Sequence, residues 1–389
     1  MPFAAAGSRA PRLDEAIETV CQRIRAELDG VAPDLTLAFV SHAHAEEFPR
    51  LAEAVRRQTG SHVLLGCSGE TIVTGSEEVE QGPVLTLWSA VMPGAEFCPF
   101  QLDFSETPDG IVCSGYPPDL DARAGDTRAV LMLGEPFSSV PAAVLDHLAA
   151  ELPGIPVIGG MASGGRRPGQ NGLFLDSNLI LSGAIGVVIR GGARVRSLVS
   201  QGCRPIGTHF VVTRADHNVI LEIGGRPPLA RLQEILPTLT ERDQQLVRNG
   251  LHVGLVMNEY QDRFERGDFL ISNVVGADAQ TGAIAIGNRV RPGQTMQFHV
   301  RDGETADEDL RQLLERDRAT YASPPDAALL FSCNGRGTRL FDEPHHDAAL
   351  IQDYLGPLPL AGFFAQGELG PVGGRNYIHG YTASIALFG

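Results

Sequence analysis

The amino-acid sequence predicts an α/β fold of repeated strand-helix-strand units, with mixed sheets covered by helices. Apolar runs typical of buried strands alternate with amphipathic helical segments, and glycine-rich turns close each unit. The same order occurs three times along the chain, in residues 35–70, 128–165 and 327–370. A more antiparallel middle region separates the second unit from the third, so we expect two related halves around that middle.

The spacing within the units supports a true repeat. The chain runs 25, 25 and 30 residues from the end of the first strand to a glycine in the second strand, measured from Ser41 to Gly66, Gly134 to Gly159 and Ser332 to Gly362. The longer third interval fits an extended loop around residues 343–346. Because each unit is a strand-helix-strand crossover, we expect adjacent parallel strands with a helix packed on them.

The remaining segments complete the predicted organisation. Residues 1–11 are predicted to form a leader without regular structure, followed by a helix from Leu13 to Leu28 that Gly30 ends. In the middle region, residues 216–218 and 279–282 are predicted hairpin turns, and residues 230–251 a long helix. We therefore divide the chain into a leader and N-terminal helix (1–33), an N-terminal domain (34–215) and a C-terminal domain (216–389).

Composition excludes several classes of function. The chain has 389 residues, 43% hydrophobic and 20% charged, which is typical of a soluble globular protein. Its net charge of −16 argues against a nucleic-acid partner and against an anionic membrane surface. All basic residues are arginine, so Schiff-base chemistry, pyridoxal phosphate catalysis and a lysine-containing phosphate loop are excluded.

The six cysteines are scattered, and no pair has the spacing of a zinc knuckle, a thioredoxin motif or a covalent haem site. The N-terminus lacks the apolar stretch of a signal peptide, and no run reaches the length of a membrane span. We therefore expect a reduced, cytoplasmic protein.

Ligands of parallel sheets bind beyond the carboxyl ends of the strands. Six loops of the predicted repeats lie in that position, and polar or glycine-rich residues fill them. They are residues 41–44, 66–70, 134–139, 159–165, 333–339 and 364–370.

The segment "LFSCNGRG", residues 330–337, allows three interpretations. Cys333 could be a nucleophile, but no spacing assigns a base to it from the nearest candidates, which are His345, His346 and His379. The cysteine could equally be inert, with Gly335 and Gly337 only making a turn. We prefer a ligand cradle, because amides around two glycines hold anions and an arginine, Arg336 or Arg339, can bind a carboxylate bidentately.

Two glutamates follow the glycine turns, Glu70 in "GCSGE" and Glu368 in "AQGE". If these positions are equivalent, both carboxylates can converge on one cavity and hold an ammonium group, bind a metal or transfer a proton. The alternative is that each caps a nearby backbone amide. The sequence does not decide between these two hypotheses.

Histidines raise two cofactor hypotheses. His42 and His44 would share one face of a strand, but two histidines without a third ligand make a weak metal site. His147, in a predicted helix, could ligate haem, although a helix histidine without a ligand role is commoner. We assign no metal, and the cofactor is unknown with haem possible.

The motifs "ALLFSCNGRG" and "PLAGFFAQGELGPVGGRNYIHGYTAS" resemble the C-terminal half of a FIST domain. "LAFVSHAHAEEF", "LLGCSGE", "VIGGMASGG" and "QGCRPIG" resemble its N-terminal half, so the resemblance spans residues 34–385. It implies a sensory module that binds small molecules such as amino acids, with Cys333, Asn334, Arg336, Gly367 and Glu368 facing the ligand. Some bacterial members are haem-based nitric oxide sensors. No kinase, cyclase or methyl-accepting segment is attached here, so we expect a stand-alone bacterial protein that signals through a separate partner.

We therefore predict a small-molecule-binding sensory protein for an amino acid or another carboxylate metabolite, and prefer a sensor to an enzyme. The alternatives are an enzyme using Cys333 or Glu368, a haem-based nitric oxide sensor and, last, a protein-binding scaffold. The predicted ligand-binding residues are Cys333, Asn334, Gly335, Arg336, Gly337, Gly367, Glu368, Gly66, Ser68, Glu70, Ser41 and His42.

Overall fold

A computed structural model describes residues 2–108, 110–261 and 263–389. The chain divides into two compact units, which we describe separately. Unit 1 comprises Met1–Ser200, Leu310–Ile378 and Thr382–Gly389, and unit 2 comprises Gln201–Asp309 and His379–Tyr381. No helix in the described part of the chain is both long and apolar enough to cross a membrane.

The α-helices within the described ranges are α1 (Leu13–Glu27), α2 (Phe48–Thr59), α3 (Pro141–Glu151), α4 (Pro228–Ile235), α5 (Glu241–Asn249), α6 (Gly303–Thr320) and α7 (His346–Leu355). Short 3₁₀ helices form at His42–Glu47, Ala124–Asp126, Leu236–Thr238 and Gly337–Arg339.

The strands that precede the middle region are β1 (Phe3–Ser8), β2 (Leu35–Ser41), β3 (Val63–Gly69), β4 (Ile72–Thr74), β5 (Glu77–Val79), β6 (Leu85–Ala90), β7 (Ala95–Thr107), β8 (Gly110–Ser114), β9 (Thr127–Gly134), β10 (Val157–Met161), β11 (Leu173–Leu175), β12 (Asn178–Ile180), β13 (Ala184–Gly191) and β14 (Val195–Gln201). The middle region holds β15 (Cys203–Asp216), β16 (Val219–Ile223), β17 (Leu251–Val256), β18 (Phe269–Ala277), β19 (Ile284–Ile286) and β20 (Thr295–Arg301). The last strands are β21 (Ala327–Cys333), β22 (Leu360–Ala365), β23 (Glu368–Val372), β24 (Arg375–His379) and β25 (Thr382–Phe388).

Apart from the barrel of the middle region, the described strands form three mixed sheets. Sheet 1 has the order β1-β6-β2-β3-β11-β12, sheet 2 the order β24-β23-β10-β9-β13-β7-β8, and sheet 3 the order β14-β25-β21-β22-β4-β5. At the centre of each sheet lies one predicted strand-helix-strand unit with its two strands parallel: β2-α2-β3, β9-α3-β10 and β21-α7-β22. We call these repeats 1, 2 and 3. The predicted fold class is confirmed.

A glycine marks the same position in the second strand of each repeat. Each one lies opposite a residue of the first strand and so close to its carbonyl oxygen that a Cβ atom would not fit. The Cβ-to-oxygen distance would be 2.2 Å for Gly66 and Ala38, 1.9 Å for Gly159 and Met132, and 1.8 Å for Gly362 and Leu330. These are the glycines of the sequence spacing, and only glycine permits this backbone approach.

The hairpin that follows each second strand joins the sheet of another repeat. Hairpin β4-β5 leaves repeat 1 for sheet 3, β11-β12 leaves repeat 2 for sheet 1, and β23-β24 leaves repeat 3 for sheet 2. The exchange is therefore cyclic and interlocks the repeats. The sequence pattern does not predict this exchange, because nothing in a short strand identifies the strand with which it pairs.

The sheets share one apolar core, and helices cover their outer faces. The Phe39 ring lies 6.2 Å from Phe331 and 5.3 Å from Phe363, joining sheets 1 and 3, and Leu131 and Val187 of sheet 2 belong to the same cluster. Helices α1 and α2 pack on sheet 1, α3 on sheet 2 and α7 on sheet 3. Burial on both faces explains why the central strands are continuous apolar runs.

Unit 2 is the antiparallel middle region, closed into a barrel of order β15-β16-β19-β18-β17-β20. The hairpin turns predicted at residues 216–218 and 279–282 connect β15 to β16 and β18 to β19, as expected. The predicted single helix over residues 230–251 is wrong. It is broken between α4 and α5 because Pro237 cannot continue a helix, and the Thr240 hydroxyl accepts the Asp243 amide at 3.1 Å to start α5.

The N-terminus also differs from the prediction. Helix α1 is confirmed, but part of the leader predicted to lack structure is strand β1, which pairs antiparallel with β6 and buries Ala4 and Ala6. Small alanines gave no strong strand pattern, and the neighbouring strand supplies the order. The domain boundaries at residues 33/34 and 215/216 remain predictions.

Candidate functional site

A cavity of about 700 Å³ lies in unit 1 beyond the carboxyl ends of the central strands. All six loops predicted to lie there contribute to its wall. The lining residues are Ser41, His42, Ala43, Glu70, Gly82, Phe137, Gly164, Gly165, Arg166, Asn334 and Gln366. We call this space the strand-end cavity.

Strand register places matching positions of different repeats in the cavity wall. Glu70 lies four residues after Gly66, and Gln366 lies four residues after Gly362. The sequence prediction that Glu70 and Glu368 occupy equivalent positions is therefore off by two residues, because the residue equivalent to Glu70 in repeat 3 is Gln366. That equivalent supplies an amide where repeat 1 supplies a carboxylate.

The cavity wall carries both signs of charge. The Glu70 carboxylate, whose side chain is 39% exposed, forms an ion pair with Arg339, which is 56% exposed. Arg339 also donates to the Asn334 carbonyl at 2.8 Å, which ties repeat 1 to the loop of repeat 3. Arg166 is exposed and lines the cavity as well. The Asn334 side-chain oxygen Oδ1 is buried and has no hydrogen-bond partner among the described residues.

A buried serine holds the loops of repeats 1 and 3 together. Ser163 accepts the Glu70 amide at 2.8 Å and donates its hydroxyl hydrogen to the Phe364 carbonyl. Ser68, predicted as a ligand residue, donates instead to the Ser163 carbonyl at 3.2 Å and accepts the Gly172 amide at 3.2 Å. Ser68 therefore supports the cavity wall from behind.

A buried glutamate fixes the part of the wall that repeat 2 supplies. Glu135 is fully buried and accepts from the Phe137 amide at 3.0 Å and from the Asn171 side chain at 3.2 Å. Asn171 in turn accepts the Gly165 amide at 2.8 Å. Because these bonds are buried and satisfied, the cavity is preformed on this side.

The arginine of "LFSCNGRG" lies away from the cavity lining. Arg336 is only 1% exposed and binds Asp347 bidentately, with Nε to Oδ2 and Nη2 to Oδ1 both at 2.7 Å. Ser332 donates to the same carboxylate at 2.8 Å. Burial alone would raise the pKa of Asp347, but the Arg336 guanidinium holds it well below its usual range. The carboxylate that the Arg336 guanidinium binds is thus the side chain of Asp347.

Glu78 of the exchanged hairpin lies against this ion pair. It is buried, accepts the Ala348 amide at 2.9 Å, and has its pKa raised to about 8 by burial and by the Asp347 carboxylate. His346 contacts Asp347 through Nδ1 at 3.0 Å. His345 contacts the Glu78 main chain through Nδ1, at 3.0 Å from the amide nitrogen. These contacts engage two of the three histidines considered as bases for Cys333, and the third, His379, is buried at the end of β24.

Cys333 and Glu368 do meet. The Glu368 carboxyl is fully buried and accepts both the amide and the hydroxyl of Thr382, at 3.1 and 2.8 Å, and the Cys333 thiol hydrogen-bonds to it. Burial raises the pKa of Glu368 to about 8, so it is largely protonated at neutral pH. Cys333 is half-buried. The pair forms a thiol–carboxyl contact next to the loop that carries Asn334.

The structure thus sorts the predicted residues into two groups. Lining the strand-end cavity are Ser41, His42, Glu70 and Asn334. Outside its lining, within or beside the strands that support it, are Gly66, Ser68, Cys333, Gly335, Arg336, Gly337, Gly367 and Glu368. Gly337 has a left-handed backbone conformation, at φ 60°, which favours glycine, and it lies close to the Glu80 carboxylate and the Phe364 ring.

The histidine hypotheses find little geometric support. His42 and His44 lie in a 3₁₀ helix and not on a strand; His42 lines the cavity, whereas His44 is buried. His147 is exposed and packs against the Tyr116 ring at 4.1 Å. Over the described residues, no group of three or more histidine, cysteine or acidic side chains is arranged to hold a metal ion.

Sequence reasoning missed several wall residues, above all Phe137, Arg166 and Gln366. The loops that carry Phe137 and Gln366 were predicted to lie beyond the strand ends, and Arg166 immediately follows another of those loops. A strict alignment of the repeats on their glycines would have pointed to Gln366. The supporting residues Glu135, in a loop, and Asp347, in the first turn of α7, have no such signal, because a single acidic residue in a polar segment does not indicate that it is buried.

Comparisons with known proteins identify the family of the chain. The family model of the FIST N domain matches residues 34–226, and that of the FIST C domain matches residues 228–371. The uncharacterized protein Rv0628c of Mycobacterium tuberculosis is 45% identical over 381 residues, which are 98% of each chain. The uncharacterized protein Mb0898c of Mycobacterium bovis is 44% identical over 378 residues, covering 97% of this chain and 96% of its own. FIST domains are generally sensory, ligand-binding signalling domains. By both domain matches and by these relatives, the chain belongs to the FIST family.

Proposed function

We propose that this chain is a sensory protein that binds a small metabolite carrying a carboxylate, most simply an amino acid, in the strand-end cavity. One observation carries the proposal: loops from repeats 1, 2 and 3 converge on a single cavity whose wall presents Glu70, Arg166 and two side-chain amides. Open α/β sheets bind ligands at this position. The volume of about 700 Å³ falls within the range of roughly 300–1,000 Å³ typical of small-molecule sites.

The charged groups suggest how a zwitterion would lie. Arg166 can grip a carboxylate, and Glu70 together with the unpaired Oδ1 of Asn334 can accept from an ammonium group. An unpaired buried acceptor costs free energy until a donor reaches it, so a ligand N–H would gain that free energy on binding. Phe137 offers an apolar contact for a side chain.

This assignment moves the carboxylate contact from Arg336 to Arg166. Arg336 already has a buried carboxylate partner in Asp347. If a ligand replaced that partner, the Asp347 carboxylate would remain buried without its guanidinium. Arg336, Glu368 and Cys333 therefore support the loop that carries Asn334. Ligand identity, a separate signalling partner and a cytoplasmic location are parts of the same proposal.

A thermal-shift screen of the purified chain tests it, with amino acids, keto acids and dicarboxylates as the panel and calorimetry on any hit. A ligand present at about 100 times its dissociation constant adds about 2.7 kcal/mol to stability, which such a screen detects. We expect Arg166→Gln and Glu70→Gln to weaken a hit. The matched controls Arg57→Gln and Glu53→Gln replace exposed residues of helix α2 and should leave it unchanged. A hit that survives both cavity variants would place the site elsewhere.

A second candidate function is an enzyme that uses Cys333 as nucleophile. The contact between the Cys333 thiol and Glu368 favours it, because a carboxyl group whose pKa is raised to about 8 is partly ionised near that pH, and its ionised form can accept the thiol proton. Iodoacetamide labelling followed by mass spectrometry separates this hypothesis from the sensor. A catalytic Cys333 should react much faster than Cys98, which is also partly exposed, and Glu368→Gln should slow it. Equal rates at the two thiols would exclude the enzyme.

A further inference from the structure

A second cavity in unit 1, of about 630 Å³, lies at the other ends of the strands. Arg128 is the second residue of β9, and Asp326 immediately precedes β21, so both lie at amino ends of strands whose carboxyl ends carry the first cavity. The lining residues are Arg128, Ala193, Arg194, Val195, Arg196, Tyr321, Ala322, Ser323, Pro324, Asp326 and Gly389. We call this space the arginine cavity.

The charge of this cavity opposes that of the chain. Its lining includes three arginines and one acidic residue among the described residues, in a protein whose net charge is −16. Arg128 donates to the Gly125 carbonyl at 3.1 Å and is 4.0 Å from the Asp126 carboxylate. Arg194 uses Nε for a main-chain oxygen of Gly389, at 2.7 Å. Main-chain contacts thus orient these two guanidinium groups at the cavity.

The third arginine creates a flat surface. Arg196 is paired with Asp317 at 2.9 Å, and its guanidinium lies 4.2 Å from the centre of the Tyr321 ring. Tyr321 is 48% exposed even though it carries a large ring. Tyr321 also lines an adjoining cavity of about 430 Å³, which shares Ala322, Ser323 and Pro324 with the arginine cavity. An aromatic ring fixed by a cation on the wall of a groove is a stacking platform for another planar group.

From these features we propose that the arginine cavity binds a nucleotide. Arg128 and Arg194 would hold the phosphate, for which the planar guanidinium fork is the preferred protein group. Tyr321 and the apolar residues Ala193, Val195 and Pro324 would contact the base. The site is independent of the strand-end cavity, and so is the proposal.

Calorimetric titration of the full chain with adenosine and guanosine monophosphates tests this, with adenosine and inorganic phosphate as fragment probes. We expect at least one monophosphate to bind and both fragments to bind more weakly. The double variant Arg128→Gln/Arg194→Gln should weaken binding about tenfold or more, since both phosphate contacts are lost. Tyr321→Leu should weaken it less. Arg57→Gln serves as an exposed arginine control.

Four outcomes would overturn the proposal. If neither monophosphate binds at millimolar concentration to folded protein, there is no nucleotide site. If phosphate alone binds as tightly as the nucleotide, the base makes no contact, and equal binding of adenosine would remove the role of the arginines. If Arg166→Gln abolishes binding and the double variant does not, the nucleotide occupies the strand-end cavity instead. Loss of amino-acid binding in Arg166→Gln with nucleotide binding intact would support both sites separately.

Discussion

Asn334 and Arg336 are two residues apart in one loop, yet they belong to different environments. Asn334 lines the strand-end cavity, whereas Arg336 is buried against Asp347. The same division separates two ion pairs: Glu70–Arg339 is half-exposed at the cavity, and Arg336–Asp347 is fully enclosed. The comparison shows that one strand-end loop can place a polar residue at a cavity and enclose a charged residue in the fold two positions later, and that burial distinguishes the two.

The largest effect should come from breaking the enclosed pair. We expect Arg336→Met to lower the free energy of unfolding by about 3–5 kcal/mol, because Asp347 would be left as an uncompensated buried charge. Urea denaturation at pH 7 measures this. Arg339→Met is the matched control at the exposed pair and should cost no more than about 1 kcal/mol. Equal losses in the two variants would mean that burial does not distinguish the pairs.

The next effect is a pH dependence from the buried carboxyls. Because burial raises the folded-state pKa of Glu368 and Glu78 to about 8, the folded state holds protons that the unfolded state releases above its lower pKa. Their contribution to stability is complete below about pH 4.5 and is lost as pH rises towards 8, by roughly a few kcal/mol for each group.

Glu368→Gln tests this sign. The variant should lose less stability than the wild type between pH 6.5 and 8, as measured by denaturation at several pH values. Burial lowers the pKa of His252 and His299 to about 4, so the unfolded state alone binds protons at these two side chains near pH 6.5. This contribution is the same in the wild type and in the variant, so it cancels in the comparison. A variant whose slope matched that of the wild type would show that Glu368 is already ionised in the folded protein.

Removal of the Asn334 side-chain amide should weaken ligand binding and change stability little. We expect Asn334→Ala to weaken a verified amino-acid ligand about tenfold while changing the free energy of unfolding by no more than about 0.5 kcal/mol, since Oδ1 has no partner to lose among the described residues. Calorimetry and denaturation together check the two parts. A large loss of stability with unchanged affinity would assign Asn334 to the fold and not to the cavity.

The smallest effect should come from the ion pair at the cavity. Without ligand, Glu70→Gln should cost at most about 1 kcal/mol of stability, and the difference should shrink in about 0.5 M salt because exposed charges are screened. Denaturation at low and high salt measures it. A cost that persists at high salt would indicate that Glu70 is more enclosed than its exposure implies.

Much of the fold followed from the sequence. The parallel strand pairs, the helices between them and the hairpins of the barrel all appear where apolar periodicity and turn residues predict them. These features are local, because a strand buried on both faces or a turn at a glycine is encoded by the residues that form it. The glycine spacing also marked positions that prove structurally equivalent, Gly66, Gly159 and Gly362.

For the candidate site, the sequence predicts the location but not the individual side chains. The sequence located six loops at the carboxyl ends of strands, and the strand-end cavity has residues from all of them. It does not assign individual side chains: its pattern predicts Arg336 as a ligand group and gives no signal for Arg166. A guanidinium in a loop has the same sequence signature whether its carboxylate belongs to a ligand or, as here, to Asp347 eleven residues further on.

The sequence encodes the α/β class, the repeat, the lack of lysine and the edge of the sheets at which the strand-end cavity lies. Tertiary structure alone decided the exchange of hairpins between sheets, which brings Glu78 of one repeat against Asp347 of another. It also decided which polar groups lie in the cavity and which are buried. The physical reason is that pairing and burial depend on residues distant in sequence, whereas strand, helix and turn preferences depend on neighbours.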